Sequence, residues 1–214
     1  MGRLYETDWA NLGRYSKKNE LLGLPTSDEK RVVFMGDSII ENWKNLYPEF
    51  FENKNYINRG IGGQTTPQML LRFRQDVINL KPKVFVLLAG TNDIAGNTGP
   101  ASLENISGNI SSMTELALAH NIKVILCSVL PVYDYPWKPK LKPAQKIVRL
   151  NKMIEDYTLK HHIPYVDLYG ITVDAKGGFM NELAPDGVHP NTDGYKLLSP
   201  VLEKTIQESL KINP

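Results

Sequence analysis

Five times along the 214-residue chain, a short run rich in branched and aromatic apolar residues precedes a longer stretch of helical period, and this alternation limits the fold more than any other feature. The runs cover residues 31–35, 55–58, 83–89, 122–129 and 164–168. Between them Leu103, Ile106, Ile110, Met113 and Ala117 recur at spacings of three and four, as do Ile147, Leu150, Ile154 and Tyr157, so each set lays one apolar stripe along a helix. Residues 67–78 and 195–210 read as two further helices. Strands separated by helices pair in parallel, and a parallel sheet needs cover on both faces. The expected architecture is therefore α/β: a three-layer α/β/α sandwich around a five-stranded parallel sheet. Residues 31–214 make the domain, and residues 1–30 are an N-terminal extension packed on it, with Trp9, Leu12, Tyr15 and Leu22 as an amphipathic piece.

Bulk properties narrow the function. Apolar residues supply 42% of the chain and charged residues 22%, which suits a folded globular domain. A formal net charge of +2 provides no basic field for phosphate, so nucleic acid is not an expected partner. No run reaches the ~18 apolar residues of a membrane span. Cys127 is the single cysteine, so neither an internal disulfide nor a cysteine metal cluster can form. His120, His161 and His162 fit no ligand spacing, and no metal or other cofactor is expected. The compartment stays open between cytoplasm and export after loss of a signal segment, and the oligomeric state is not addressed by these features.

In an open parallel sheet, ligands bind beyond the carboxyl ends of the strands. The first run ends in Gly36-Asp37-Ser38, the second in NRGIGGQTT, the third in AGTNDIAG, the fourth in the aromatic stretch 131–143, and the last leads to APDGVHPNTDGY. Taken alone, Ser38 reads equally well as a helix cap, the glycines as a turn and Asn92 as an Asx turn. Together they fill every role in ester hydrolysis. A serine needs a base oriented by a carboxylate, and Asp186 and His189 flank a turn at Gly187. A developing oxyanion needs donors, available from the N–H groups of Ser38 and Gly63 and the amide of Asn92.

The segments GDSI, GIGGQTT, GTND and DGVHP, in that order, resemble the four signature blocks of the SGNH hydrolases, also called the GDSL lipase/acylhydrolase family, with Ile39 where the family name has leucine. The resemblance spans residues 36–190. It implies a flavodoxin-like sandwich with Ser38 as nucleophile, His189 as base, Asp186 as its orienter, and Ser38, Gly63 and Asn92 as oxyanion donors. Asp37 and Asp93 are then loop-holding groups, and Gln64 stands where many relatives have aspartate.

The substrate is read more coarsely. The elbow G-x-S-x-G of the α/β-hydrolases is absent because Ile40 occupies its last position. No long apolar insertion suggests a lid, which favours a short acyl group such as acetyl. In residues 131–143, Tyr133, Tyr135 and Trp137 offer a face for a sugar ring and Lys138, Lys140 and Lys142 a pull on acidic glycans. The competing reading is a solvated loop with packed aromatics. A carbohydrate O-deacetylase or similar short-chain esterase is expected, acting on a small-molecule or glycan ester. The alternatives are a lipase or thioesterase for longer chains and a catalytically silent glycan-binding module. A nucleotide-binding domain is disfavoured because no G-x-G-x-x-G follows a strand and no P-loop pattern occurs.

Overall fold

In the computed structural model, which describes residues 8–211, the apolar runs pair as β1 (Val32–Gly36), β2 (Tyr56–Gly60), β3 (Val84–Leu88), β4 (Lys123–Cys127) and β5 (Tyr165–Val166). All are parallel, in the order β2-β1-β3-β4-β5. The helices are α1 (Ser16–Leu22), α2 (Ser38–Leu46), α3 (Thr66–Asp76), α4 (Thr91–Ala95), α5 (Leu103–Ala119), α6 (Ala144–His161) and α7 (Thr192–Lys211).

Every residue of β1 and β3 is buried, because alternate side chains enter opposite cores. Val33, Met35, Phe85 and Leu87 meet Phe73 of α3, Ile106 and Met113 of α5 and Leu150 of α6. Val32, Phe34, Val84 and Val86 meet Ile40 and Trp43 of α2 and Tyr195, Leu198 and Leu202 of α7. The expected three-layer sandwich is thus observed. Its connections leave β1 and β3 in opposite directions, which opens a crevice at their carboxyl ends.

Three local expectations change. The last run pairs over two residues rather than five, because β5 has only β4 beside it and the chain leaves the sheet after Val166. A short helix, α4, follows β3 almost at once, which the apolar periodicity did not mark. Ahead of β1, Tyr15 is buried and Leu22 packs on the core, whereas Trp9 and Leu12 are exposed, so no continuous apolar stripe forms. Polar contacts hold this segment instead: Tyr15 donates to the Gly60 carbonyl, and Gln64 and Gln68 donate to the carbonyls of Ala10 and Trp9. The part of the extension at residues 1–7 lies outside the described residues. No helix among the described residues is long and apolar enough to cross a membrane.

Candidate active site

At the end of β1 the backbone turns abruptly into α2. Asp37 caps the helix, its Oδ1 accepting the Ile39 N–H at 2.9 Å. Ser38 is the first residue of α2, so its own N–H has no intrahelical acceptor. The second oxygen of Asp37, Oδ2, is buried without a hydrogen-bond partner. Burial pushes this carboxyl up to about 7, against the opposing pull of the Ile39 N–H and the nearby His189.

The imidazole reaches Ser38 from the far end of the chain. Gly187, at φ 76°, makes the tight turn that folds Asp186 back onto His189. Asp186 Oδ1 accepts the N–H groups of Val188 at 2.9 Å and His189 at 2.7 Å, and Oδ2 accepts His189 Nδ1–H at 2.6 Å. With that nitrogen protonated, Nε2 is left as the acceptor for Ser38 Oγ, 2.9 Å away. Partial burial pushes the Asp186 carboxyl up, but the N–H and ring of His189 and the Val188 N–H outweigh it and hold the acid below its ordinary value. Two contacts lock α7 onto α2 and so bring the turn to Ser38. Tyr195 donates to the Ile39 carbonyl at 2.7 Å, and Trp43 Nε1 donates to Ser199 Oγ at 3.0 Å.

The glycine loop after β2 lies against the start of α2. A Cβ on Gly60 would fall 2.2 Å from the Glu41 nitrogen, so only glycine permits that approach. Asn92 sits in the first turn of α4, nearly buried. One N–H of its amide donates to the Gln64 carbonyl at 3.1 Å, and its Oδ1 accepts from Asn97 at 2.9 Å. Asp93 faces the other way: its carboxylate takes the Thr66 N–H at 3.0 Å and hydroxyl at 2.6 Å, tying α4 to α3.

The structure therefore brings Ser38, His189 and Asp186 into one hydrogen-bonded run, with the Gly60–Gln64 loop and Asn92 joined beside it. The aromatic loop divides. Tyr135 is fully buried, and its hydroxyl donates to the Thr91 carbonyl at 2.8 Å, so it offers no sugar face; it supports the start of α4. Tyr133 and Trp137 are exposed, and the Trp137 ring centre lies 6.1 Å from that of His189. Lys138 donates to the Gly96 carbonyl, and Lys140 and Lys142 are exposed. Among the described residues no group of three or more His, Cys, Asp or Glu side chains could hold a metal ion.

Sequence reasoning passed over three supports. Asn97 orients the Asn92 amide. Arg72, buried and paired to Asp76 at 3.0 Å, donates to Gln64 Oε1 at 2.6 Å and to the Gly36 carbonyl at 3.3 Å, joining two of the loops. Glu41 accepts the Gly62 N–H at 2.7 Å. The i,i+4 pairing of Arg72 with Asp76, set between Met69 and Phe73, was the one readable signal among them.

Residues 34–197 match the model of the GDSL-like lipase/acylhydrolase family. The crystal structure of a candidate acylhydrolase from Bacteroides fragilis superposes with a TM-score of 0.94 at 47% identity, covering 96% of this chain and 100% of that one. The acetyl xylan esterase AlAXEase shares the fold at a TM-score of 0.67 and 20% identity, over 82% of this chain and 98% of the other. In sequence, the platelet-activating factor acetylhydrolase IB subunit alpha2 of Rattus norvegicus is 28% identical over 87% of this chain and 80% of its own length.

Proposed function

We propose, from the premise that this chain belongs to the GDSL-like lipase/acylhydrolase family and is an ester hydrolase, that it removes short acyl groups, acetyl first among them, from hydroxyls of carbohydrates, using Ser38 as nucleophile. The observation that carries the reading is the unbroken run Ser38 Oγ, His189 Nε2, His189 Nδ1, Asp186 Oδ2, with contacts of 2.9 and 2.6 Å. His189 takes the hydroxyl proton as Oγ attacks the carbonyl carbon, then gives it to the departing alcohol. Asp186 fixes the tautomer and stabilises the imidazolium. The N–H groups of Ser38 and Gly63 and the second amide N–H of Asn92 meet the tetrahedral oxyanion. Water, deprotonated by His189, then attacks the acyl-enzyme and releases the acid.

Acetyl is favoured because two relatives, one alike in sequence and one in fold alone, are named for acetyl esters. A carbohydrate alcohol is favoured by the exposed Trp137 ring beside His189, a flat apolar face of the kind that packs on sugar rings. The test is hydrolysis of p-nitrophenyl acetate, butyrate and octanoate, and release of acetate from acetylated xylo-oligosaccharide and from a 2-acetyl phospholipid, by wild type and Ser38→Ala. Acetyl preference, acetate release from the oligosaccharide and loss of both in Ser38→Ala are expected. Octanoyl preference removes the short-chain assignment, release from the phospholipid alone removes the carbohydrate, and an undiminished Ser38→Ala removes the mechanism.

A further inference from the structure

The N–H of Gly63 is useful to an oxyanion only if its peptide plane is held still, and a Gly-Gly pair is the most mobile dipeptide a chain can place there. The plane is bracketed. Ahead of it, the Gly62 N–H donates to Glu41 Oε2 at 2.7 Å. Beyond it, Asn97 Nδ2 donates to the Gly63 carbonyl at 3.2 Å, and the Gln64 N–H donates to the Ile61 carbonyl at 3.3 Å. Glu41 stands one turn along α2 from Ser38, so the helix that presents the nucleophile also holds the loop. Gly62 is close to both: a Cβ there would lie 3.1 Å from Glu41 Oε2 and 3.8 Å from Ser38 Cβ.

Glu41 is itself held from outside the sandwich. Arg14, from the segment ahead of β1, donates to its other oxygen, Oε1, at 2.8 Å. The two carboxylate oxygens thus serve different masters, Oε1 the extension and Oε2 the loop. We infer that Glu41 is a positioning residue for the reaction: its carboxylate, oriented by Arg14, clamps Gly62 so that the next N–H, that of Gly63, is presented at a fixed distance from Ser38. The inference rests on the proposed role of Gly63 as an oxyanion donor. It adds residues outside the reacting set, one of them in the N-terminal extension.

The experiment compares wild type, Glu41→Leu, Glu41→Gln, Arg14→Ala and Ser38→Ala in p-nitrophenyl acetate turnover, with melting curves and the amide resonance of Gly62 recorded for each. Removing a donor outright costs on the order of 10²–10³ in rate, so loosening one should cost less, about tenfold in kcat for Glu41→Leu, with KM within about twofold. Glu41→Gln keeps an oxygen for Gly62 and should recover most of that loss. Arg14→Ala, at an exposed position, should lower kcat about threefold and move the Gly62 amide without altering the melt. The clamp is overturned if folded Glu41→Leu keeps wild-type kcat, if KM and kcat change together, or if Glu41→Gln is no better than Glu41→Leu. Should Glu41→Leu fail to fold, Arg14→Ala decides, and wild-type kinetics there overturn the clamp. If Ser38→Ala is as active as wild type, the serine reading fails and the catalytic role of Glu41 fails with it. If Ser38→Ala is dead and the Glu41 and Arg14 variants are not impaired, the clamp alone is wrong.

Discussion

Replacing Asp37 by asparagine should change how stability depends on pH. In the folded chain this carboxyl is buried with Oδ2 unpartnered, and it holds its proton up to about 7 against an ordinary 3.8. Unfolded, it would release the proton near the ordinary value. Between those limits the folded state binds one more proton than the unfolded state, so this group's contribution to stability is complete below the lower value. It drains away as pH rises through the upper one. A gap of about three pH units, at about 1.4 kcal/mol each, gives about 4 kcal/mol lost from acid to neutral pH. Asparagine does not titrate there. It can keep the bond from the Ile39 N–H, but it buries an N–H2 without an acceptor, a constant penalty of about 1–3 kcal/mol. The assay is urea unfolding of both proteins at pH values from about 4.5 to 7.5, with the difference in stability plotted against pH. Groups that titrate alike in both proteins cancel in that difference. The difference should move in favour of the variant by about 3–4 kcal/mol as pH rises. Two parallel stability curves would refute the argument, because they would mean that Asp37 has the same proton affinity folded and unfolded.

Asn92→Ala should lower kcat for p-nitrophenyl acetate by about 10²–10³ while KM changes little, since on the proposed mechanism the lost N–H acts on the oxyanion and not on the ground-state ester; steady-state kinetics check it. Trp137→Ala should raise KM for an acetylated oligosaccharide about 2- to 10-fold, the worth of one aromatic contact, and leave p-nitrophenyl acetate turnover near wild type. Equal effects on both substrates would mean that the ring serves His189 and not the sugar.

The central strands β1, β3 and β4 were legible because burial on both faces demands near-continuous apolar runs, and each reads so in the sequence. The same signal overstated β5, where Leu168 stays buried after the backbone has left the sheet; apolarity reports burial and not pairing. The groups that the structure brings together, Ser38, His189 and Asp186, were legible as polar residues standing where apolar strands end or in a turn beyond them. What holds them was not. Glu41 is an ordinary half-buried residue of α2, and nothing local marks its bond to a backbone amide 21 residues on. In residues 131–143 no periodicity tells which aromatic turns inward, so Tyr133, Tyr135 and Trp137 looked equivalent. The fold separates them by fixing Tyr135 to Thr91 and leaving the other two in solvent. Asn97 was hidden for a similar reason, as one more polar residue in a turn.

The contact between Ser38 and His189 joins residues 151 positions apart, and the bonds that seat α7 on α2 span 156. Closing so long a loop carries an entropic debt that only the finished sandwich offsets. On a ribosome, Ser38 and the glycine loop would emerge early and wait for the imidazole of His189, 151 residues on. A partial chain ending ahead of residue 186 would hold a serine without a base, however native its first strands. On the proposed mechanism, turnover therefore waits until α7 has docked, and regain of activity on refolding would time that docking.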